Sequence, residues 1–460
     1  MKTTQLNQPS LLTRYGFKLS DANDRFSFRR THACELLTRA LHRVGTTIEQ
    51  LQEVSESVWA DALQAVSFQI ERRGGECLVD PTEEELPLAD IDLYMRGVAR
   101  WLNELGIHTF HCCDGHGRRT PIVGLLTQPT FEQLKLLRAI APEGMTIHTR
   151  GKTIRFECSN NRELLLQLAE RLYEILADDS ALVRYEAETF KHSLLQWLNI
   201  PGESRREAPI RQALRGRLRH IADDLFVDRA GNVCAAVYCG QGPTVLLSAH
   251  MDIYEALEEG RQIVQEGTVL RSTAGILGAD DRAGITIILE IVRNVRRTGF
   301  SGTLKIAFTV EEEIGLVGSR KLDPLFLADV DAAIVVDRRG TRDIVTSCAG
   351  IIPFCHESYG LLFERAGVMA GMDDWRVTEG GSSDARILAE TFGIPSVNLS
   401  AGYRNEHTER ESVDYLAAYE TVMLIKTVLH HRLIGTRDKR SGSLHDFRSA
   451  AFSPLSASSL

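Results

Sequence analysis

The 460-residue chain, 43% hydrophobic and 25% charged, has the balance of an ordinary globular protein and length for roughly three domains and a sizeable core. A formal net charge of −9 disfavours broad non-specific binding to nucleic acid or to an anionic membrane. Nine cysteines, thinly spread, do not form a disulfide framework, and the reading is a thiol-containing cytoplasmic protein.

The opening stretch MKTTQLNQPSLLTRYGF lacks the apolar run of a secretory signal. Runs such as GITIILEIV are short and interrupted by Glu290, so no bilayer span is expected. Helical segments around THACELLTRALHRV and DLYMRGVARWLNEL come first. Short strand candidates (HTFHCC, IVGLL, MTIHTR, TIRFEC) then mix with two amphipathic helices, TFEQLKLLRAI and NRELLLQLAERLYEIL. This predicts a separate α+β domain over residues 1–181, ending near ADDSA, to which the sequence assigns no role. Within it, HTFHCCDGHGRR (108–119) gathers Cys112, Cys113 and His116 close to His108 and His111. Such a density of Cys and His can bind zinc, but C-x-x-C spacing is absent. A glycine-punctuated turn between strands is the preferred reading.

From 182 to 435 the pattern alternates. Helical stretches such as ETFKHSLLQWLNI and APIRQALRGRLRHIA are interleaved with LFVDRAGNVCAAVY, TVLLSAH, TLKIAFTV and AAIVVD, several of them continuous Val/Ile/Leu runs. Such runs predict an α/β domain with a mixed, mostly parallel sheet flanked by helices, its working residues beyond the carboxyl ends of the strands. SVDYLAAYETVMLIKTVLHHRLI predicts a closing helix, and the Ser-rich stretch 436–460 a disordered tail.

The strand ends are where chemistry collects. TVLLSAHMD delivers His250 and Asp252, TLKIAFTVEEE delivers Glu311, Glu312 and Glu313, AAIVVD delivers Asp337, and IPSVNLSAGYRNEH leads to His407. GILGADDRAG places Asp280 and Asp281 just before a helical pattern. Singly, acids at strand ends are commonly caps or turn formers, and a lone histidine is commonly a satisfied core residue. All of them in order, with two histidines among carboxylates, are much harder to dismiss in that way.

With SAHMD, GADDRAG, VEEEIGLVGS, VVD, GGSSDARI, GIPSVNLSAGY and NEHTERE in this order, residues 184–435 resemble the co-catalytic zinc exopeptidases, the group of peptidase T and related aminopeptidases and deacylases. The resemblance implies two divalent ions, zinc first, with cobalt or manganese also compatible with the ligand types. It assigns His250 and Asp337 to one ion, Glu313 and His407 to the other, and Asp280 to both. Asp252 would orient His250 without touching metal, and Glu312 would be the general base that takes a proton from metal-bound water and returns it to the departing amine. Glu311 receives no role. Gly315 would supply the permissive backbone where the strand breaks into a turn.

Asp281 reads equally as a helix-start residue or a functional one. Arg386 and Arg404 are candidates to bind a substrate carboxylate, set against the commoner role of arginine in structural ion pairs. Asp280 follows His250 by 30 residues and His407 follows Asp337 by 70, too few for the inserted lid or β-domain of some relatives. The expected activity is hydrolysis of an amide bond in a small peptide, of aminopeptidase or dipeptidase type. An N-acyl amino acid deacylase and a non-catalytic binding or regulatory protein on a peptidase scaffold are the alternatives. Homo-oligomerisation is left open.

Overall fold

The computed structural model describes residues 8–18, 32–67, 77–78, 86, 88–178 and 180–437. The chain divides into two compact units, Met1–Glu186 and Ala187–Leu460, the division falling inside the helix Ala181–Leu198. Of the stretch 436–460, all but Thr436 and Arg437 lies outside the described residues.

The first unit is α+β. Its antiparallel sheet runs in the order Cys77–Leu78, Thr109–Cys113, Ile122–Leu125, Thr153–Glu157, Thr146–Arg150. Strand Thr153–Glu157 alternates, burying Ile154 and Phe156 while Arg155 and Glu157 stay exposed, as a sheet with one covered face requires. Helix Glu163–Ala177 buries a stripe of Leu164, Leu165, Leu168, Leu172 and Ile175. Trp59, Trp101 and Phe156 are fully buried in the same core. Helices Gln8–Arg14 and Glu56–Val66 and the strand Cys77–Leu78 add to the predicted elements.

The second unit is a mixed α/β sheet flanked by helices. Its four central strands, Ser396–Ser400, Ala332–Arg338, Thr244–His250 and Thr303–Thr309, are mutually parallel. Antiparallel strands flank them, Val233–Tyr238 and Asp224–Val227 on one side and Asp343–Cys348 on the other. Arg376–Gly380 then pairs parallel with Asp343–Cys348. All seven residues of Thr244–His250 are buried, which explains why it reads as an uninterrupted apolar run. Leu246, Ala333 and Val335 pack with Phe326, Ala385 and Leu388. Helix Ala279–Asn294 also packs on strands Thr244–His250 and Ala332–Arg338, and on helix Tyr415–His430.

That helix starts very close to the sheet. A Cβ on Gly284 would stand 2.1 Å from the backbone oxygen of Val336, so only glycine lets the two backbones approach. A small antiparallel sheet absent from the sequence reading joins Ile263–Glu266, Val269–Ser272, Ser412–Asp414 and Tyr403–Arg404. No described helix is long and apolar enough to cross a membrane.

Candidate metal centre and active site

Because the central strands run in one direction, their carboxyl ends share one edge of the sheet. His250 is the last residue of its strand and is 2% exposed. Its Nδ1 lies 3.1 Å from the backbone oxygen of Asp252 and 3.4 Å from Asp252 Oδ1. A proton on Nδ1 is thereby engaged, which leaves Nε2 to face Asp280 Oδ1 at 2.9 Å and Asp337 Oδ1 at 3.5 Å.

Asp280 touches both histidines with different oxygens. While Oδ1 meets His250, Oδ2 lies 3.3 Å from His407 Nε2. The same His407 nitrogen is 2.9 Å from Glu313 Oε1 and 2.8 Å from Oε2. Asp337 is steadied by its own neighbours: its N–H donates to Asn398 Oδ1 at 2.9 Å, and the Tyr403 hydroxyl donates to its Oδ1 at 3.0 Å. His250, Asp280 and Glu313 form one group of ligand-type atoms within 4.8 Å of one another, and His250, Asp281 and Asp337 form a second.

Asp252 does more than orient His250. Its carboxylate accepts the backbone N–H groups of Glu312 at 3.0 Å and Glu313 at 3.2 Å, and the Ser204 hydroxyl at 2.7 Å. These bonds hold the turn after strand Thr303–Thr309, so that both glutamates line one open cleft of roughly 200 Å3 with His250, Asp280, Asp337 and His407. Glu311 sits at φ 52 and its N–H donates to Glu207 Oε1 at 3.2 Å. Gly315, at φ 118, occupies the permissive position in the turn.

Three further residues that received no role in the sequence reading hold this site together or line it. The buried Glu411 carboxylate accepts the N–H groups of Gly278 at 2.7 Å and Asp280 at 2.9 Å, fixing the loop that presents Asp280. Tyr254 stacks on His407 with ring centroids 4.3 Å apart and planes 12° from parallel. Arg339 lines the cleft beside Arg338 and pairs with Glu406 at 2.7 Å. Of the two arginines expected to meet substrate, Arg386 pairs with Glu390 at 2.7 Å along its own helix, and Arg404 is exposed on the strand Tyr403–Arg404; neither lines the cleft.

The cluster carries more negative charge than its own cations balance. Burial, with Asp337, Asp384 and Asp280 adding to it, pushes Glu312 up to about 10. Burial also pushes Asp337 up to about 6 and raises Glu313, Asp281 and Asp384. Burial opposes charge on His250 too, yet bonds to Asp252, Asp280 and Asp337 hold its imidazolium well above the ordinary value. Hydrogen bonds to Asp280 and Glu313 hold His407 up to about 10. Asp281 Oδ2 and Asp384 Oδ1 are buried without a partner. Two imidazoles among crowded carboxylates, with buried oxygens unsatisfied, fit divalent cations as the missing charge.

Residues 257–348 match the family described as M42 glutamyl aminopeptidase. The chain is 30% identical over 139 residues to the uncharacterized protein YqjE of Bacillus subtilis (strain 168), covering 28% of this chain and 38% of that protein. It is 32% identical over 99 residues to a peptidase T-like protein of Yersinia pestis, covering 21% of this chain and 24% of that protein. The matches thus span less than half the length of these relatives. The crystal structure of aminopeptidase PepT from Bacillus cereus ATCC 10987 aligns with a TM-score of 0.49 and 18% identity, covering 53% of this chain and 98% of that one. Part of the second unit, residues 257–348, is thus similar in sequence to M42 glutamyl aminopeptidases, and the chain shares a further similarity with a peptidase T-like protein.

Proposed function

We propose that the second unit is a metal-dependent hydrolase that cleaves an amide bond at the end of a small peptide, as an aminopeptidase or dipeptidase. The observation that carries this reading is the Asp280 carboxylate, which faces His250 with one oxygen and His407 with the other in the cleft that Glu312 lines. His250 with Asp337, and Glu313 with His407, are the ligand pairs on either side of the shared Asp280. Two divalent cations, zinc first and cobalt or manganese as substitutes, would supply Lewis acidity and offset the repulsion among the acids.

Glu312 accepts the proton of the attacking water and hands it to the departing amine. The Asp252 bond to its backbone N–H aims it into the cleft. Arg338 and Arg339 replace Arg386 and Arg404 as the candidates to meet a substrate carboxylate. The cleft is smaller than the ~300–1,000 Å3 of sites that enclose a drug-sized ligand. It suits the end of a chain rather than a large folded substrate.

The test uses the purified full chain, loaded with zinc, cobalt or manganese, on aminoacyl amides, short peptides and N-acyl amino acids. Turnover of peptides and aminoacyl amides supports the reading, and turnover of N-acyl amino acids alone replaces it with a deacylase. Glu312→Gln should retain metal while losing about a hundredfold or more in kcat. If neither form hydrolyses anything in a broad library, the unit is a binding scaffold.

A further inference from the structure

We propose that the first unit carries a divalent-metal site of its own, formed by Asp92, Cys113 and His116 with Asp114 orienting the imidazole, and suited to zinc. Asp92, Cys113, Asp114 and His116 bring one ligand-type atom each to within 4.8 Å of one another. They come from two places in the fold: the turn before helix Arg96–Glu104, and the end of strand Thr109–Cys113 with the loop that follows.

The spacings are a little wider than those of groups sharing an ion. His116 Nε2 lies 3.8 Å from Cys113 Sγ and 3.8 Å from Asp92 Oδ2. The second distance is well beyond the ~2.7–3.2 Å of an N–H···O hydrogen bond. Around a tetrahedral zinc with bonds of about 2.0–2.3 Å, neighbouring ligands stand about 3.3–3.6 Å apart. A small inward adjustment would therefore bring the three atoms to coordination distance.

Everything behind these atoms is already tied down. His116 Nδ1 faces Asp114 Oδ1 at 3.2 Å, the carboxylate-to-histidine arrangement that leaves Nε2 free to ligate. Asp114, whose side chain is 4% exposed, receives Arg162 on its other oxygen at 2.9 Å. The N–H of Asp114 donates to Asp92 Oδ2 at 3.0 Å, and that of Gly115 to Cys113 Sγ at 3.4 Å. Gly115, His116 and Gly117 are all in the left-handed region, at φ 73, 50 and 68. Histidine there is uncommon. This backbone folds the loop back so that His116 lies beside Cys113 and Asp92.

The ligand types select the ion. A thiol and an imidazole favour a borderline ion such as zinc over magnesium or calcium, which take oxygen. The His116 side chain is 54% exposed, so an ion held by three protein atoms would keep a face to solvent, as in sites with an exchangeable position.

Sulfur makes the site separable from the acidic cluster of the second unit, whose donors are only nitrogen and oxygen. The full chain, stripped by chelation and titrated with cobalt(II), should show thiolate-to-cobalt charge-transfer absorption in the near ultraviolet. Cys113→Ser should abolish that absorption and lower bound metal by one ion per chain. Asp114→Asn should weaken cobalt binding about tenfold or more. Peptide hydrolysis by the second unit should be the same in all three proteins. Should Cys113→Ser fail to fold, as judged by circular dichroism, His116→Gln at the exposed imidazole should weaken cobalt binding about tenfold or more, and an unchanged affinity in that variant would overturn the proposal. No charge-transfer absorption in the parent chain, or absorption and metal content that persist in Cys113→Ser, would overturn the proposal.

Discussion

The backbone N–H of Glu312 donates to Asp252 Oδ1 at 3.0 Å, so the residue beside His250 also positions the candidate base. One carboxylate therefore sets both a ligand and a proton acceptor. Asp252→Asn keeps the shape but can turn an amide N–H toward backbone donors and disturb the turn. We expect metal affinity and kcat to fall about tenfold to a hundredfold, read by metal titration and steady-state kinetics.

Glu411 is predicted to matter without touching metal. Glu411→Ala leaves the buried N–H groups of Gly278 and Asp280 without an acceptor, at a cost of about 1–3 kcal/mol each. Urea unfolding should show lower stability with or without metal, and metal titration should show weaker binding. A variant with unchanged stability would remove Glu411 from the supporting framework.

Tyr254→Ala separates positioning from stability. The ring is 53% exposed and stacks on His407, so its loss should weaken metal binding or turnover by about two- to tenfold while moving the unfolding midpoint little. Tyr254→Phe should restore the parent values, because the contact is made by the ring face.

The metal-free chain should become less stable as pH rises from about 5 to 9. Burial pushes Glu411 up to about 7, Asp337 up to about 6 and Glu312 up to about 10, and hydrogen bonds hold His407 up to about 10. In each case the folded state binds the proton more tightly than the unfolded chain, whose ordinary values are near 4 for carboxyls and 6.5 for histidine. Between those limits folded protein holds more protons, so stability falls with pH. Bound zinc should flatten the dependence. Urea midpoints of chelated and zinc-loaded protein at several pH values would show it, and a rising trend in the chelated protein would contradict it.

Gly284→Ala tests the closeness of helix and sheet. The added methyl would meet the Val336 oxygen at 2.1 Å, and the strain should cost at least about 1–3 kcal/mol or prevent folding. Thermal unfolding measures the first outcome, and soluble yield the second.

What was legible in the sequence followed from burial. Strands Thr244–His250 and Ala332–Arg338 are covered on both faces, so their apolar runs stand out and the His250 and Asp337 at their carboxyl ends draw attention. Glu411 received no role because NEHTERE draws attention to His407, and nothing in the spacing of its acids tells one from another. Only the fold carries it to the N–H groups of residues 278–280. Arg338 and Arg339 had no pattern to mark them, whereas Arg386 had Glu390 four residues on, the spacing of the helical ion pair it makes. The small sheet escaped notice because Ile263–Glu266 is mostly exposed and carries little apolar signal.

Glu411 also orders events in time. The loop that presents Asp280 is clasped by a side chain synthesised 131 residues later, close behind His407. A ribosome must therefore translate almost the whole second unit before that loop has its buried acceptor and its second imidazole. A polypeptide stopped before residue 411 would carry His250 and Asp280 without that clasp.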